Sequence, residues 1–97
     1  DARSSFQRAI ADNPRSVPAR MKLAGMLVSQ QDFGAAIPAY QQIISLDGNN
    51  ALAWVGLGMS YLHTGQRELS KAAFAEAIRI DPSRESQLAS LLEKTAQ

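Results

Sequence analysis

Apolar residues recur at three- and four-residue spacing along much of the chain, with polar residues between them. From 51 to 63 the series Trp54, Leu57, Tyr61 and Leu62 falls on one face of a helix. Leu69, Ala73, Ala77 and Ile80 do the same in the next stretch, with Phe74 and Ile78 beside them. Thr64-Gly65 separates the two runs, and a glycine just past a helix end supplies the left-handed conformation that closes a C-terminus. Two antiparallel helices are therefore expected. Residues 18–30 and roughly 33–46 form a second such pair, with Asp32 as an N-cap whose carboxylate accepts from free backbone N–H groups. Pro38 lies well inside the second of these helices, where the missing N–H and the ring clash cost about 3 kcal/mol, so a local bend without a break is expected.

The helix pairs repeat. Residues 17–50 align without gaps on residues 51–84, a period of 34. Ala19/Ala53, Leu23/Leu57, Ala39/Ala73, Ile44/Ile78 and Asp47/Asp81 are identical, while Ala24/Gly58, Leu27/Tyr61, Tyr40/Phe74 and Leu46/Ile80 agree in character. A partial copy comes first, matching Phe6 to Phe74, Ala9 to Ala77, Ile10 to Ile78 and Pro14 to Pro82, so the chain opens inside a repeat. Asp12 stands where later copies have Leu46 and Ile80, which predicts a frayed or exposed last turn. Residues 85–97 place Leu88, Leu91 and Leu92 on one face and polar residues on the other. That is the pattern of a terminal helix covering the end of a solenoid. Leu92 falls where the first helix of a further repeat would need a small residue, which favours the cap.

Trp54, Leu57, Gly58, Tyr61, Phe74, Ala77 and Pro82 stand at the spacing of a known motif, with Ser70 replacing its small alanine. On these residues the chain resembles the tetratricopeptide repeat family. In the unit 17–50, Leu23, Ala24, Ala36 and Tyr40 fit, while Arg20, Leu27, Ile43 and Gly48 replace the family's Trp, Tyr, Ala and Pro. The resemblance implies an all-α fold, an α-solenoid of antiparallel helix pairs with about two and a half repeats and a C-terminal capping helix. The expected organisation is a single domain over 1–97: the second helix of a truncated repeat (1–16), two full repeats (17–50 and 51–84), and a cap (85–97). Ala24 and Gly58 let paired helices approach, with Tyr40 and Phe74 filling the space beside them.

Composition narrows the function. A net charge of +1 gives no global basic field for nucleic acid. Arg3, Arg8, Arg15, Arg20 and Lys22 cluster toward the N-terminal end, but without interleaved aromatics they fit a solvated surface better than a nucleic-acid or lipid site. The absence of cysteine removes disulfides, thiol catalysis and Cys-based zinc sites. No apolar run is long enough to cross a bilayer, and DARSSFQRAI lacks the order of a signal peptide. The chain begins with Asp1, as expected for a processed or excised piece, and a soluble segment of the cytoplasm or periplasm is anticipated. His63 has no neighbouring His, Cys or carboxylate cluster, so a structural role in the last turn of its helix is expected, favourable to the helix dipole. Gly56-Leu57-Gly58 lies inside a helical run with no preceding strand and is no dinucleotide fingerprint. Asp12, Asp47, Glu76 and Asp81 are dispersed over different units, without the close pairing that carboxylate catalysis needs. No catalytic, metal or cofactor site is expected, and the chain is not expected to be an enzyme.

The resemblance implies a binding surface instead. In the family the first helices of successive units line a concave groove. The corresponding residues are Pro18, Met21, Gly25, Val28 and Ser29 in one unit and Leu52, Val55, Met59, Leu62 and His63 in the next. Family members that hold a terminal carboxylate use Lys, Arg and Asn there, whereas Met21, Gly25 and Met59 make such a clamp unexpected. A mostly apolar, methionine-containing groove suits an amphipathic helix or an extended apolar peptide of a partner protein. Self-coverage by another copy of the chain or by an upstream helix stands beside this reading on equal terms, since large apolar patches are rarely left bare. Alternatives in function are a homo-oligomerisation module of a larger assembly and a non-catalytic repeat segment of a larger enzyme.

Overall fold

The structure, a computed structural model, describes Arg8, Ala11 and residues 17–95. Among these it contains helices α1 (Val17–Ser29), α2 (Phe33–Leu46), α3 (Ala51–His63), α4 (Arg67–Ile80) and α5 (Glu85–Thr95), with a 3-10 turn at Pro82–Arg84 and no strand. The expected helix over 1–16, with the Asp12 mismatch and Arg3 and Arg15 of the basic cluster, lies outside the described residues except for Arg8 and Ala11, both helical and exposed. Each helix packs on the next in chain order, and α1 also touches α3. The extents of 40 × 24 × 18 Å are those of a stack rather than a ball.

Turn chemistry explains why the helices end where they do. After α3, the Gly65 N–H donates to the Leu62 carbonyl (3.2 Å) and the Gln66 N–H to the Tyr61 carbonyl (2.8 Å), with Gly65 at φ +80°. This paired pattern satisfies carbonyls that the helix itself leaves open. The same pattern closes α1: Gln31 N–H to Val28 O (2.9 Å) and Asp32 N–H to Leu27 O (2.8 Å). Here the left-handed position, φ +61°, is occupied by Gln31, which has a Cβ to accommodate. Gln31→Gly is therefore expected to stabilise the fold by about 0.5–1 kcal/mol, because relief of the left-handed strain outweighs the added freedom of glycine in the unfolded chain. Thermal denaturation should show a higher midpoint, and an unchanged or lower midpoint would contradict the reading of this turn.

Two local expectations require correction. Asp32 occupies the N-cap position of α2, but its carboxylate makes no cap hydrogen bond. The Asp32 backbone carbonyl instead accepts from the N–H groups of Ala35 (3.2 Å) and Ala36 (3.0 Å). Asn50 is the side-chain cap, accepting at 3.2 Å from the Ala53 N–H at the start of α3. Leu69, expected on the apolar face of α4, is 49% exposed. Ala73, Phe74 and Ala77 carry that face. Pro38 does not break α2, which runs as one helix from Phe33 to Leu46.

Among the described residues the core forms two adjoining clusters. Ala24, Leu27, Ala36, Tyr40, Ile43, Ala53, Leu57, Tyr61 and Ala73 make the first, while Phe74, Ala77 and Leu88 make the second. Leu88 is the point at which α5 covers the end of the second repeat, and the side chains of Leu91 and Leu92 lie outside the described residues. Trp54 packs against both clusters. It is partly exposed rather than fully inward, because its indole N–H reaches the Gly48 carbonyl at 3.0 Å.

Close helix approach depends on two glycines. A Cβ at Gly58 would lie 2.7 and 2.8 Å from carbons of the Phe74 ring, which places Phe74 beside Gly58 as expected. Tyr40 shares the first buried cluster with Ala24. Its ring lies over Gly56, where an added Cβ would collide with Cζ and approach Cε1 to 2.5 Å. Ser70 is fully buried and keeps its hydroxyl satisfied by donating to the Gly58 carbonyl at 2.7 Å, so the serine in place of the family alanine pins α4 to α3.

Candidate functional site

α1 and α3 are the first helices of successive repeats and touch each other, so residues 34 apart occupy equivalent places on adjacent rods. Pro18 is matched by Leu52, Met21 by Val55, Gly25 by Met59, Val28 by Leu62, and Ser29 by His63. These ten residues include no Asp, Glu, Lys or Arg. Their burial is uneven. Met21 and Val28 pack against the first cluster and Val55 and Met59 against the second, so these four present only part of their surface. Leu62 is likewise half-buried, while Pro18, Gly25, Ser29, Leu52 and His63 are exposed.

Leu52 is the most conspicuous of them, a large aliphatic side chain with 52% exposure near the start of α3. Gly25 contributes an opening. A Cβ built there would meet nothing within 4 Å, in contrast to Gly56 and Gly58. An exposed leucine and an uncovered glycine position thus stand on the two first helices, together with half-buried aliphatic side chains. Methionines at two of the positions, Met21 and Met59, can adjust their rotamers to a partner's shape.

His63 has a structural engagement that its sequence context did not reveal. Its imidazole stacks on the Phe33 ring, with centroids 4.3 Å apart and planes 7° from parallel. The contact joins the end of α3 to the start of α2. His63 and Phe33 are 30 residues apart, so neither helix periodicity nor local composition points to the pair.

Polar groups hold the helices in register. Arg20 Nη1 donates to Gln42 Oε1 at 2.6 Å, linking α1 to α2, and Gln41 Nε2 donates to the Tyr61 hydroxyl at 3.0 Å, linking α2 to α3. Burial pushes the Tyr40 hydroxyl above the usual phenol range, which keeps it neutral in the core. At the other end, the Ser83 hydroxyl donates to the Asp81 carboxylate at 2.5 Å and lowers its pKa, assisted by the nearby Arg84. Arg84 Nε lies 3.1 Å from Asp81 Oδ2 as an ion pair, outside hydrogen-bonding alignment. These groups shape the turn into α5. Among the described residues there is no group of three or more His, Cys, Asp or Glu placed to hold a metal, and no helix is long and apolar enough to cross a membrane.

The repeat register and the helix pairs together prompt comparison with known proteins. A family model described as tetratricopeptide repeat matches residues 27–95, and a second of the same description matches residues 1–50. The chain belongs to the tetratricopeptide repeat family. Repeats of this family generally mediate protein–protein interaction and are typically non-catalytic scaffold modules. The chain is 31% identical over 77 residues to the general transcriptional corepressor ssn6 of Schizosaccharomyces pombe, covering 79% of this chain and 7% of that protein. It is 25% identical over 77 residues to the general transcriptional corepressor trfA of Dictyostelium discoideum, covering 79% of this chain and 6% of that protein. The chain thus spans only a small fraction of either relative. A solved structure described as the MamA RS-1 ArsTM double mutant superposes with a TM-score of 0.78 at 17% identity, over 97% of this chain and 58% of that one. This likeness shows a shared fold.

Proposed function

We propose that the chain is a scaffold module that holds an amphipathic helix or extended apolar segment of a partner protein against the first helices of its repeats. The unit boundaries that go with this reading are 1–16, 17–50, 51–84 and 85–97. The single observation that carries it is the exposure of Leu52 on a face whose ten residues Pro18, Met21, Gly25, Val28, Ser29, Leu52, Val55, Met59, Leu62 and His63 include no carboxylate, lysine or arginine, and on which the Gly25 position is also uncovered. An apolar side chain docked there removes Leu52 from water, and each 100 Å² of apolar area so buried contributes about 2.5 kcal/mol before the costs of association. Of the ten, His63 is already engaged by Phe33 and acts at the margin.

Affinity capture from source lysate tests the reading. Leu52→Glu combined with Gly25→Glu should lose the proteins captured by the wild type, since both positions are exposed and neither substitution disturbs the core. Met21 and Val55 are unsuitable because they pack against the clusters. Leu69→Glu, an equally exposed leucine on a second helix, is the control and should leave capture intact. Unchanged circular dichroism is expected for all variants, and retention of the same captured proteins by the double variant would overturn the proposal.

A further inference from the structure

The repeat register sets up a chemical comparison between two aspartates. Asp47 and Asp81 are 34 residues apart, each following the last residue of a second helix. Their backbones nearly coincide, at φ −145°, ψ 81° for Asp47 and φ −134°, ψ 88° for Asp81. Each donates its N–H to the carbonyl four residues back, Ile43 or Ala77. They differ in what comes next: Asp47 is followed by Gly48, and Asp81 by Pro82.

We propose that Asp47-Gly48 is a site of spontaneous aspartyl isomerisation, at which the protein acquires an isoaspartate that a protein carboxyl methyltransferase can recognise. The reaction requires a backbone nitrogen carrying a proton, next to a carboxyl group and free of steric cover. Gly48 provides it. Both residues are exposed, glycine has no side chain to hinder approach, and the Gly48 N–H donates no hydrogen bond to any described residue. The Gly48 nitrogen attacks Asp47 Cγ, the new C–N bond closes a five-membered succinimide, and one water leaves, made of the carboxyl oxygen and the protons of the amide and carboxyl groups. Water then adds back at one of the two ring carbonyls. Addition at Cγ restores aspartate. Addition at the α-carbonyl leaves the chain running through Cβ and Cγ, with the former α-carbonyl now a free carboxylate. Mass and charge are unchanged and no oxidant or reductant is consumed. Pro82 lacks an N–H, so the equivalent Asp81 is protected by covalent structure.

Local contacts set both the rate and the consequence. The Gly48 carbonyl accepts from the Trp54 indole at 3.0 Å, and the Asp47 carbonyl accepts from the Asn50 N–H at 3.2 Å, which restrains the turn from rotating into the attacking geometry. Isomerisation would convert that Asp47 carbonyl into a carboxylate and lengthen the backbone by one carbon. The connection between α2 and α3, and the Asn50 cap at the start of α3, would then lose their register.

The test ages the full chain at neutral pH and measures methyl transfer from S-adenosylmethionine by a purified isoaspartyl methyltransferase, with the labelled residue located by fragmentation mass spectrometry. Wild type should acquire label at position 47 and none at 81. Gly48→Pro should abolish it while keeping the melting temperature equal or higher, because the Asp47 backbone already matches the pre-proline conformation of Asp81. Trp54→Phe, which removes the indole donor, should acquire label faster. No label at position 47 in aged wild type would overturn the proposal, as would equal labelling at 47 in Gly48→Pro.

Discussion

Phe74→Ala is expected to destabilise the protein by about 3–5 kcal/mol, the cost of truncating a large buried aromatic side chain and leaving a cavity. Phe74 is fully buried, joins Ala77 and Leu88 in the second cluster, and lies against the backbone of Gly58. It thus connects the second repeat to α5 and to its own first helix at once, and few neighbours can collapse into its space. Small domains hold only about 5–15 kcal/mol in total, so the loss is a large share of the whole. At roughly 4–8 °C per kcal/mol for a domain of this size, a fall in melting temperature of about 12–40 °C follows, measurable by circular dichroism. Leu52→Ala, which removes an exposed aliphatic side chain, should shift it little. If Phe74→Ala melted within a few degrees of wild type, the second cluster could not be the core.

The same substitution should have opposite signs at two glycines, each in the interior of a first helix. Glycine to alanine inside an exposed helix normally stabilises by about 1 kcal/mol, because glycine carries the larger entropic cost of folding. Gly25→Ala should show this gain, since the new Cβ meets nothing within 4 Å. Gly56→Ala should instead destabilise by about 1–3 kcal/mol, because its Cβ would collide with the ring of Tyr40, which is held in the first cluster. Replacing Tyr40 with Leu in the Gly56→Ala background should recover part of the loss, a coupling that two unrelated sites would not display. Chemical denaturation of these three variants, with Tyr40→Leu alone to close the cycle, decides it. A stabilising Gly56→Ala would mean that α2 and α3 lie farther apart than described.

The helix pairs were legible because each rests on a local rule that the residues obey. The 3.6-residue spacing of Trp54, Leu57 and Tyr61, and the glycine at position 65, need no knowledge of the rest of the chain. Errors arose where the deciding contact is distant in sequence or where backbone substitutes for side chain. Tyr40 reaches forward to Gly56 in the next repeat, a contact that the pairing of Phe74 with Gly58 inside one repeat does not suggest. Asp32 has the composition of a cap, but its own carbonyl accepts from the start of α2. Gln31 gave no signal as a left-handed residue, since only its alignment with Gly65 exposes the role. The ten residues assigned to the binding face came from the family's register, and periodicity alone would have marked several of them simply as core. Met21, Val28, Val55 and Met59 do pack against the clusters, so the proposed docking surface centres on Leu52 and Gly25.

Site-specific photo-crosslinking at two matched leucines tests the docking claim most directly. Leu52 and Leu69 are similarly exposed, at 52% and 49%, but lie on a first and a second helix respectively. With a photoreactive phenylalanine analogue placed at one or the other position and the protein irradiated in source lysate, a discrete higher-mass adduct should form from position 52 and not from position 69. Adducts of equal yield from both positions, or from position 69 alone, would contradict the account.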